Sequence, residues 1–202
     1  MVAFCEITLP DTRVCPRLVI MLKLPQPGRV KTRLGRDIGK IAATWWFRHQ
    51  VTRLLRQVED PRWETILAVA PDAAGMAARV WPAHFARIPQ GGGNLGQRMA
   101  RLMRTVPAGP MCIIGSDIPD VRRRHVARAF AALGRHEAVF GPAPDGGYWL
   151  VGMKRVARPP KSLFQGVRWS TKHALADSCT SMAGLRIALV DVLRDVDTAA
   201  DL

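Results

Sequence analysis

The chain has 202 residues and a mass of 22.3 kDa, with 48% hydrophobic residues, 23% charged residues and a mean hydropathy near zero. These values exclude a disordered or fibrous chain and fit a globular domain long enough to bury roughly 70% of the surface its unfolded form exposes. The formal net charge of +14 comes from 30 basic against 16 acidic residues, and 24 of the 30 are arginine, a bias that a GC-rich genome produces; such charge speaks to solubility and partners rather than to fold.

Cys5, Cys15, Cys112 and Cys179 are scattered, with no paired spacing and no histidine at ligand distance, so neither a disulfide framework nor a zinc site is expected. The longest apolar run near the N-terminus, Leu18 to Leu22, is too short for a membrane span or a signal-peptide core, and a cytoplasmic protein is expected. Arg122, Arg123 and Arg124 form the densest basic cluster. No aromatic interleaving, helix-turn-helix pattern or basic repeat accompanies them, so they read as a solvated face and no nucleic-acid partner is expected.

Residues 1–16, with Pro10, Asp11 and Pro16 and no clear period, read as a loose extension ahead of a single domain over 17–202. Arg17 to Leu24 is a buried first strand ended by Pro25 and Pro27. Asp37 can cap a helix that runs to Pro61, with Ile41, Trp45, Phe47, Val51, Leu54, Leu55 and Val58 as its apolar positions and the tryptophans in the core. Thr65 to Ala70 is a second strand and Phe85 to Ile88 a weak third. Leu95 to Val106 is helical, with Leu95, Met99, Leu102, Met103 and Val106 along one face. Met111 to Ile114 is a buried strand, Val121 to Leu133 a helix, and Ala138 to Phe140 and Tyr148 to Met153 are strands. A helix over Ser170 to Met182, opened by a Ser and Thr cap, and a strand over Leu185 to Val190 close the pattern. The alternation, without internal repeats, predicts a three-layer α/β/α sandwich on a mostly parallel mixed sheet.

Ligands of such sheets sit beyond the carboxyl ends of the strands, which directs attention to the loops there. The first loop holds Pro25, Pro27, Gly28, Lys31 and Arg33. Gly28 lets the backbone turn and approach a ligand, and Lys31 and Arg33 offer cations to phosphate oxygens; the paired glycines of a Walker A loop are missing. A proline-rich turn with incidental basic residues is the competing account. The second loop, Gln90 to Arg98, satisfies G-x-G-x-x-G through Gly91, Gly93 and Gly96, but it follows a weak strand in mid-chain. A surface for a flat group such as a nucleobase suits it better than a dinucleotide fingerprint.

Asp117, in the Gly115 to Pro119 stretch after the buried strand, is placed either to hold a divalent cation or to cap the next helix. Asp145, Gly146 and Gly147 mark either a close ligand approach or a simple hairpin turn. The stretch from Leu193 to Leu202 adds further carboxylates after the last strand. Together, a phosphate-type loop and separated strand-end carboxylates point to metal-assisted chemistry on a nucleoside di- or triphosphate. The five histidines stand outside these motifs, and no Ser-His-Asp or Cys-His set competes.

Six ordered motifs carry a resemblance that runs from about Arg17 to the end of the chain. They are the Lys23 to Leu34 loop, Leu95 to Met99, Gly115 to Pro119, Asp145 to Tyr148, Trp169 to Thr171 and Asp195 to Thr198. Their order resembles a bacterial family labelled arsenosugar-biosynthesis-type glycosyltransferase, within the nucleotide-diphospho-sugar transferase (GT-A) superfamily. More distantly, they are similar to the nucleotidyltransferases that make molybdenum guanine dinucleotide and guanylated phospholactate.

The resemblance implies that Pro25, Gly28, Lys31 and Arg33 bind phosphate and that Gln90 and Gly96 belong to a base-recognition loop. It implies Asp117 and Asp197 as ligands of Mg²⁺ or Mn²⁺, and Asp145, Gly146 and Gly147 as the lining of an acceptor or sugar pocket. Trp169 either stacks on a sugar or plugs the core. The implied reaction is glycosyl transfer from a nucleotide sugar to a small-molecule acceptor, with Lys31, Arg33 and Asp117 catalytic. The alternatives are nucleotidyl transfer from a nucleoside triphosphate and a non-catalytic polyanion binder. Asp117 stands without the second aspartate of the D-x-D pair of many sugar transferases, which leans towards nucleotidyl transfer.

Overall fold

In the first strand, β1 (Arg17–Lys23), Leu18, Val19, Ile20 and Leu22 are fully buried. A strand covered on both faces needs a helical layer on each. β1 pairs in parallel with β2 (Glu64–Ala70) on one side and β4 (Met111–Ile114) on the other. With β3 (Ala86–Pro89), β5 (Ala138–Pro142), β6 (Tyr148–Met153) and β7 (Ile187–Leu189) the sheet has the order β3-β2-β1-β4-β6-β5-β7. Only β6 runs against its neighbours, so the sheet is mixed and mostly parallel. The computed structural model describes residues 15–201; residues 1–14, the bulk of the expected extension, and Leu202 lie outside the described residues.

Alternation along the strands sorts the core into two halves. Leu18, Ile20, Leu22 and Leu67 face α2 (Lys40–Val58) and α5 (Arg123–Ala132) through Phe47, Val51, Leu54, Leu55, Val126 and Ala129. Val19, Ile66, Ala68, Ile113 and Phe140 face α4 (Leu95–Thr105) through Met99, Ala100, Leu102 and Met103, joined by α6 (Ala174–Ser181) through Leu175 and Cys179. The result is the expected three-layer α/β/α sandwich. Two short helices, α1 (Leu34–Asp37) and α3 (Asp72–Ala77), follow β1 and β2; neither is foreseen by periodicity, each being too short to show one.

Three local expectations are corrected. Gly39, not Asp37, stands at the N-cap of α2; Asp37 closes α1 and accepts a hydrogen bond from the Ala199 amide at 3.0 Å. Ile41 and Trp45 are 68% and 56% exposed, because the helical rotation puts them on the side of α2 opposite Ala43 and Phe47. α6 starts at Ala174, because Ser170 at φ +59° bends the chain and Thr171 Oγ1 accepts from the His173 amide, leaving residues 170–173 as a turn. The basic cluster has a structural use. Arg123 donates to the carbonyls of Glu59 and Arg56, and Arg122 to the side chain of Gln57, so both tie α5 to the C-terminal end of α2, where cations are favoured. No described helix is long and apolar enough to cross a membrane, and Cys15, Cys112 and Cys179 are free thiols.

At the sheet edge Glu137 accepts from Arg186 Nε and Nη2 and from its amide, locking the start of β5 to that of β7. The Arg186 hydrogen bonds hold the Glu137 carboxyl down, from an ordinary value of 4.5 to about 2. A depressed carboxylate contributes stability that is complete above its unfolded value and lost as pH falls through the folded one. Urea unfolding followed from about pH 4.5 down to about 2 should therefore show declining stability, with a shallower decline in Glu137→Gln.

Candidate active site

Strand order reverses between β1 and β4: the chain moves from β1 to β2 and β3 on one side, then returns across α4 to β4 on the other. Such a switch point opens a crevice beyond the carboxyl ends of the strands. Here the loops after β1 and β4 meet in a cleft of about 950 Å³.

The loop after β1 is shaped by a Gln26-Pro27-Gly28-Arg29 turn, closed by the Arg29 amide on the Gln26 carbonyl at 3.0 Å. Proline followed by Gly28 at φ +75° is the chemistry of a type II turn. Val30 and Leu34 are buried and anchor the loop on either side of the two cations. Lys31 has φ +45°, a region that a lysine occupies only where its surroundings hold it. Its side chain is 5% exposed and crosses the crevice. The ammonium donates to Asp117 Oδ2 at 2.7 Å, to the Val196 carbonyl at 2.5 Å and to Asp197 Oδ1 at 3.3 Å, and it lies 5.9 Å from the centre of the Trp46 ring. Arg33 donates to Asp197 Oδ2 at 2.9 Å.

Asp117 does not cap a helix, since the N-cap of α5 is Arg122. Its carbonyl accepts the Val196 amide at 3.1 Å, which draws the segment after β7 across the top of the sheet. Val196 is buried there, and Asp201 Oδ2 accepts from the amides of Asp197 and Thr198 and from the Thr198 hydroxyl. That bracing brings Asp195, Asp197 and Asp117 together, with one carboxylate oxygen from each inside a common 4.8 Å. All three are half-buried. Burial pushes the Asp195 carboxyl above the usual carboxylate range, with the charges of Asp117, Asp197 and Asp145 adding to it. Three carboxylates gathered at one point, two of them on the Lys31 ammonium, offer hard oxygen donors of the kind that suits Mg²⁺ or Mn²⁺. Asp195 is the member that sequence reasoning left without a role; its two-residue spacing from Asp197 was the available signal.

The other walls come from the remaining motifs. Gln90 lines the cleft from a buried position, its Nε2 donating to the carbonyls of Leu22 and Ala68 and so closing the ends of β1 and β2. Asn94 and Gln97 form a reciprocal capping box that starts α4, and Arg98 lines the cleft beside it. Gly96 is buried under a ring: a Cβ there would stand 2.7 Å from Trp169 and 2.9 Å from Phe164. Trp169 packs edge-on against Phe164 and Tyr148 and also lines the cleft. Asp145 Oδ1 accepts the Gly147 amide at 2.9 Å, and both residues line the cleft with Ser170, Thr171 and Lys172. Lys31, Arg33, Asp117 and Asp197 are thus brought together, whereas Pro25 lies in a neighbouring groove with Trp45 and Arg48.

This sheet and switch-point cleft are shared with the nucleotide-diphospho-sugar transferases, whose fold is of the GT-A kind. The chain belongs to the family described as "uncharacterized protein conserved in bacteria (DUF2064)", which it matches over residues 53–171. A provisionally assigned nucleotide-diphospho-sugar transferase from Desulfovibrio desulfuricans G20 is 31% identical, with a TM-score of 0.82 over 91% of this chain and 82% of its own. The 4-diphosphocytidyl-2C-methyl-D-erythritol synthase of Anaerococcus prevotii DSM 20548 shares the fold at 10% identity, with a TM-score of 0.58 over 92% of this chain and 94% of its own. Rv0371c from Mycobacterium tuberculosis H37Rv, in complex with manganese, does so at 15% identity, with a TM-score of 0.51 over 93% and 96%. No curated protein matches the chain.

The glycines of the β5–β6 turn differ in what they tolerate. Gly146 has φ +84°, and a Cβ on it would stand 2.3 Å from the Lys172 carbonyl oxygen, whereas the nearest atom to a Cβ on Gly147 is Asp145 Oδ1 at 3.1 Å. Gly146→Ala should cost about 2 kcal/mol or more and lower the melting temperature by roughly 5 °C. Gly147→Ala should cost less than about 1 kcal/mol in the same calorimetric comparison. Equal melting temperatures would contradict the packing of this turn on the start of α6.

Proposed function

We propose that the protein is a metal-dependent transferase acting on a nucleotide-activated substrate, that its reaction is glycosyl transfer from a nucleotide sugar to a small-molecule acceptor, and that residues 17–202 act as one domain. The observation that carries this reading is the meeting of Lys31 and Arg33 with Asp117, Asp195 and Asp197 at the switch point, on the rim of a cleft of about 950 Å³. Breaking a sugar–phosphate bond leaves negative charge on phosphate oxygens, and the site answers with cations rather than with a nucleophile.

Lys31 and Arg33 bind and neutralise the leaving phosphates, with the Gly28 turn setting the path of the loop that carries them. Asp117, Asp195 and Asp197 would hold Mg²⁺ or Mn²⁺, which supplies further charge stabilisation on the same oxygens when bound. Asn94, Leu95 and Arg98 at the N-terminal end of α4 line the cleft, where the helix dipole and the arginine favour an anionic ligand. The loop from Gln90 to Gly96 provides the wall for the base. Trp169 offers a ring face to the sugar, and Asp145, Gly146 and Gly147 shape the acceptor side.

A second reading is nucleotidyl transfer, in which an acceptor phosphate or hydroxyl attacks the α-phosphorus of a nucleoside triphosphate and pyrophosphate departs. The single aspartate at the end of β4 favours it, and the fold is shared with the inositol-1-phosphate CTP transferase of T. maritima, 12% identical with a TM-score of 0.56. The products separate the two: a nucleoside diphosphate in one case, pyrophosphate in the other. Polyanion binding is the weaker account, because Arg122 and Arg123 are engaged with α2.

Thermal stabilisation across a panel of nucleotide sugars and triphosphates, with Mg²⁺ or Mn²⁺, should pick out a ligand. With that ligand, Asp117→Asn and Asp197→Asn should each abolish most turnover while the far-UV circular dichroism stays that of the folded parent. The double variant should be scarcely worse than either single one, since both residues serve one ion. Full turnover in EDTA, or in Asp117→Asn, would sink the metal-dependent reading.

A further inference from the structure

The ammonium of Lys31 sits where the phosphate-binding role does not put it. An ammonium has three donors, and all three are spent, on Asp117, Val196 and Asp197. None remains for a phosphate oxygen. Both oxygens of Asp197 are also taken, one by Lys31 and the other by Arg33. With three carboxylates set against two cations, the cluster carries a single formal negative charge. A divalent ion entering alone would make it positive with Lys31 still in place, and would meet a cation on two of its three prospective ligands.

We propose that Lys31 is an internal cation that keeps the divalent ion out of the aspartate cluster until nucleotide phosphates draw the ammonium away, so that the site takes the metal as its nucleotide complex and not as the free ion. The inference rests on the transferase reading above and adds an order of binding to it. Phosphate oxygens provide what the ammonium needs on leaving the carboxylates, and its departure frees Asp117 and Asp197 for the metal. The two events are thus linked, and each ligand raises the affinity for the other by the same factor. The geometry supports a swing rather than a rebuilt loop: Val30 and Leu34 stay anchored in the core while the long lysine side chain moves.

The test uses Mn²⁺ and inorganic pyrophosphate, which supplies the phosphates without a base, and reads bound Mn²⁺ by electron paramagnetic resonance. In the parent protein, saturating pyrophosphate should tighten Mn²⁺ binding at least tenfold. Lys31→Met, shown by circular dichroism to be folded, should bind Mn²⁺ alone at least tenfold tighter than the parent, and pyrophosphate should tighten it by a clearly smaller factor than it does the parent, only direct metal–phosphate contact being left to couple the two. Lys31→Arg, which keeps the charge, should bind Mn²⁺ alone as weakly as the parent does. Lys31→Met with parent-like Mn²⁺ affinity, while the parent still binds Mn²⁺ with pyrophosphate, overturns the internal-cation role and leaves the transferase reading standing. If neither protein binds Mn²⁺ under either condition, the metal-dependent reading falls and this inference falls with it.

Discussion

Three carboxylates with oxygens inside 4.8 Å of one another repel, and a fold that gathers Asp117, Asp195 and Asp197 has to supply positive charge at the same point. Lys31 and Arg33 supply it from a different loop. The mutual attraction closes the crevice between β1 and β4 and ties in a segment more than 160 positions further along the chain. Much of the surrounding structure holds these charges in register: the buried Val30, Leu34 and Val196, the Asp201 brace beneath Asp197, and the Asp37 carboxylate that fastens the Ala199 amide.

The rigidity comes from backbone satisfied by side chains. Gln90 closes the carbonyl ends of β1 and β2, Arg101 donates to the carbonyls of Gln90 and Gly92, and the Asn94–Gln97 box starts α4. A loop held this way presents a fixed wall to a ligand at little ordering cost on binding. The arginine-rich composition has a related use. Arg87, Arg101, Arg122 and Arg123 donate to backbone carbonyls, so part of the basic composition supports the scaffold.

The exposed flank of α2 lies away from this machinery. Trp45 stands out from the helix with Arg48 and His49 against its ring, and Ile41 lies one turn earlier. The periodicity of the sequence does not separate this stripe from the buried one, because apolar residues occur on both sides of the helix. Only the sheet shows which side is the core.

The sequence by itself determined the alternation of strands and helices, the α/β class and the four loops that reach the cleft, because burial forces apolar runs and turns force glycine and proline. Val19 against Leu18 and Ile20 is already a two-sided strand on paper. Asp117 and Asp197 were legible as candidate metal ligands through the motifs that carry the resemblance, and Lys31 and Arg33 as cations. Tertiary structure alone decided the rest. It put Asp195 with the other two carboxylates, gave Gln90 to backbone carbonyls, buried Gly96 under Trp169, and excluded helix capping for Asp117. Above all it turned Lys31 towards the aspartates. These outcomes depend on contacts between segments 22 to 166 positions apart, and local propensity has no term for where the far end of a long side chain finds its partner.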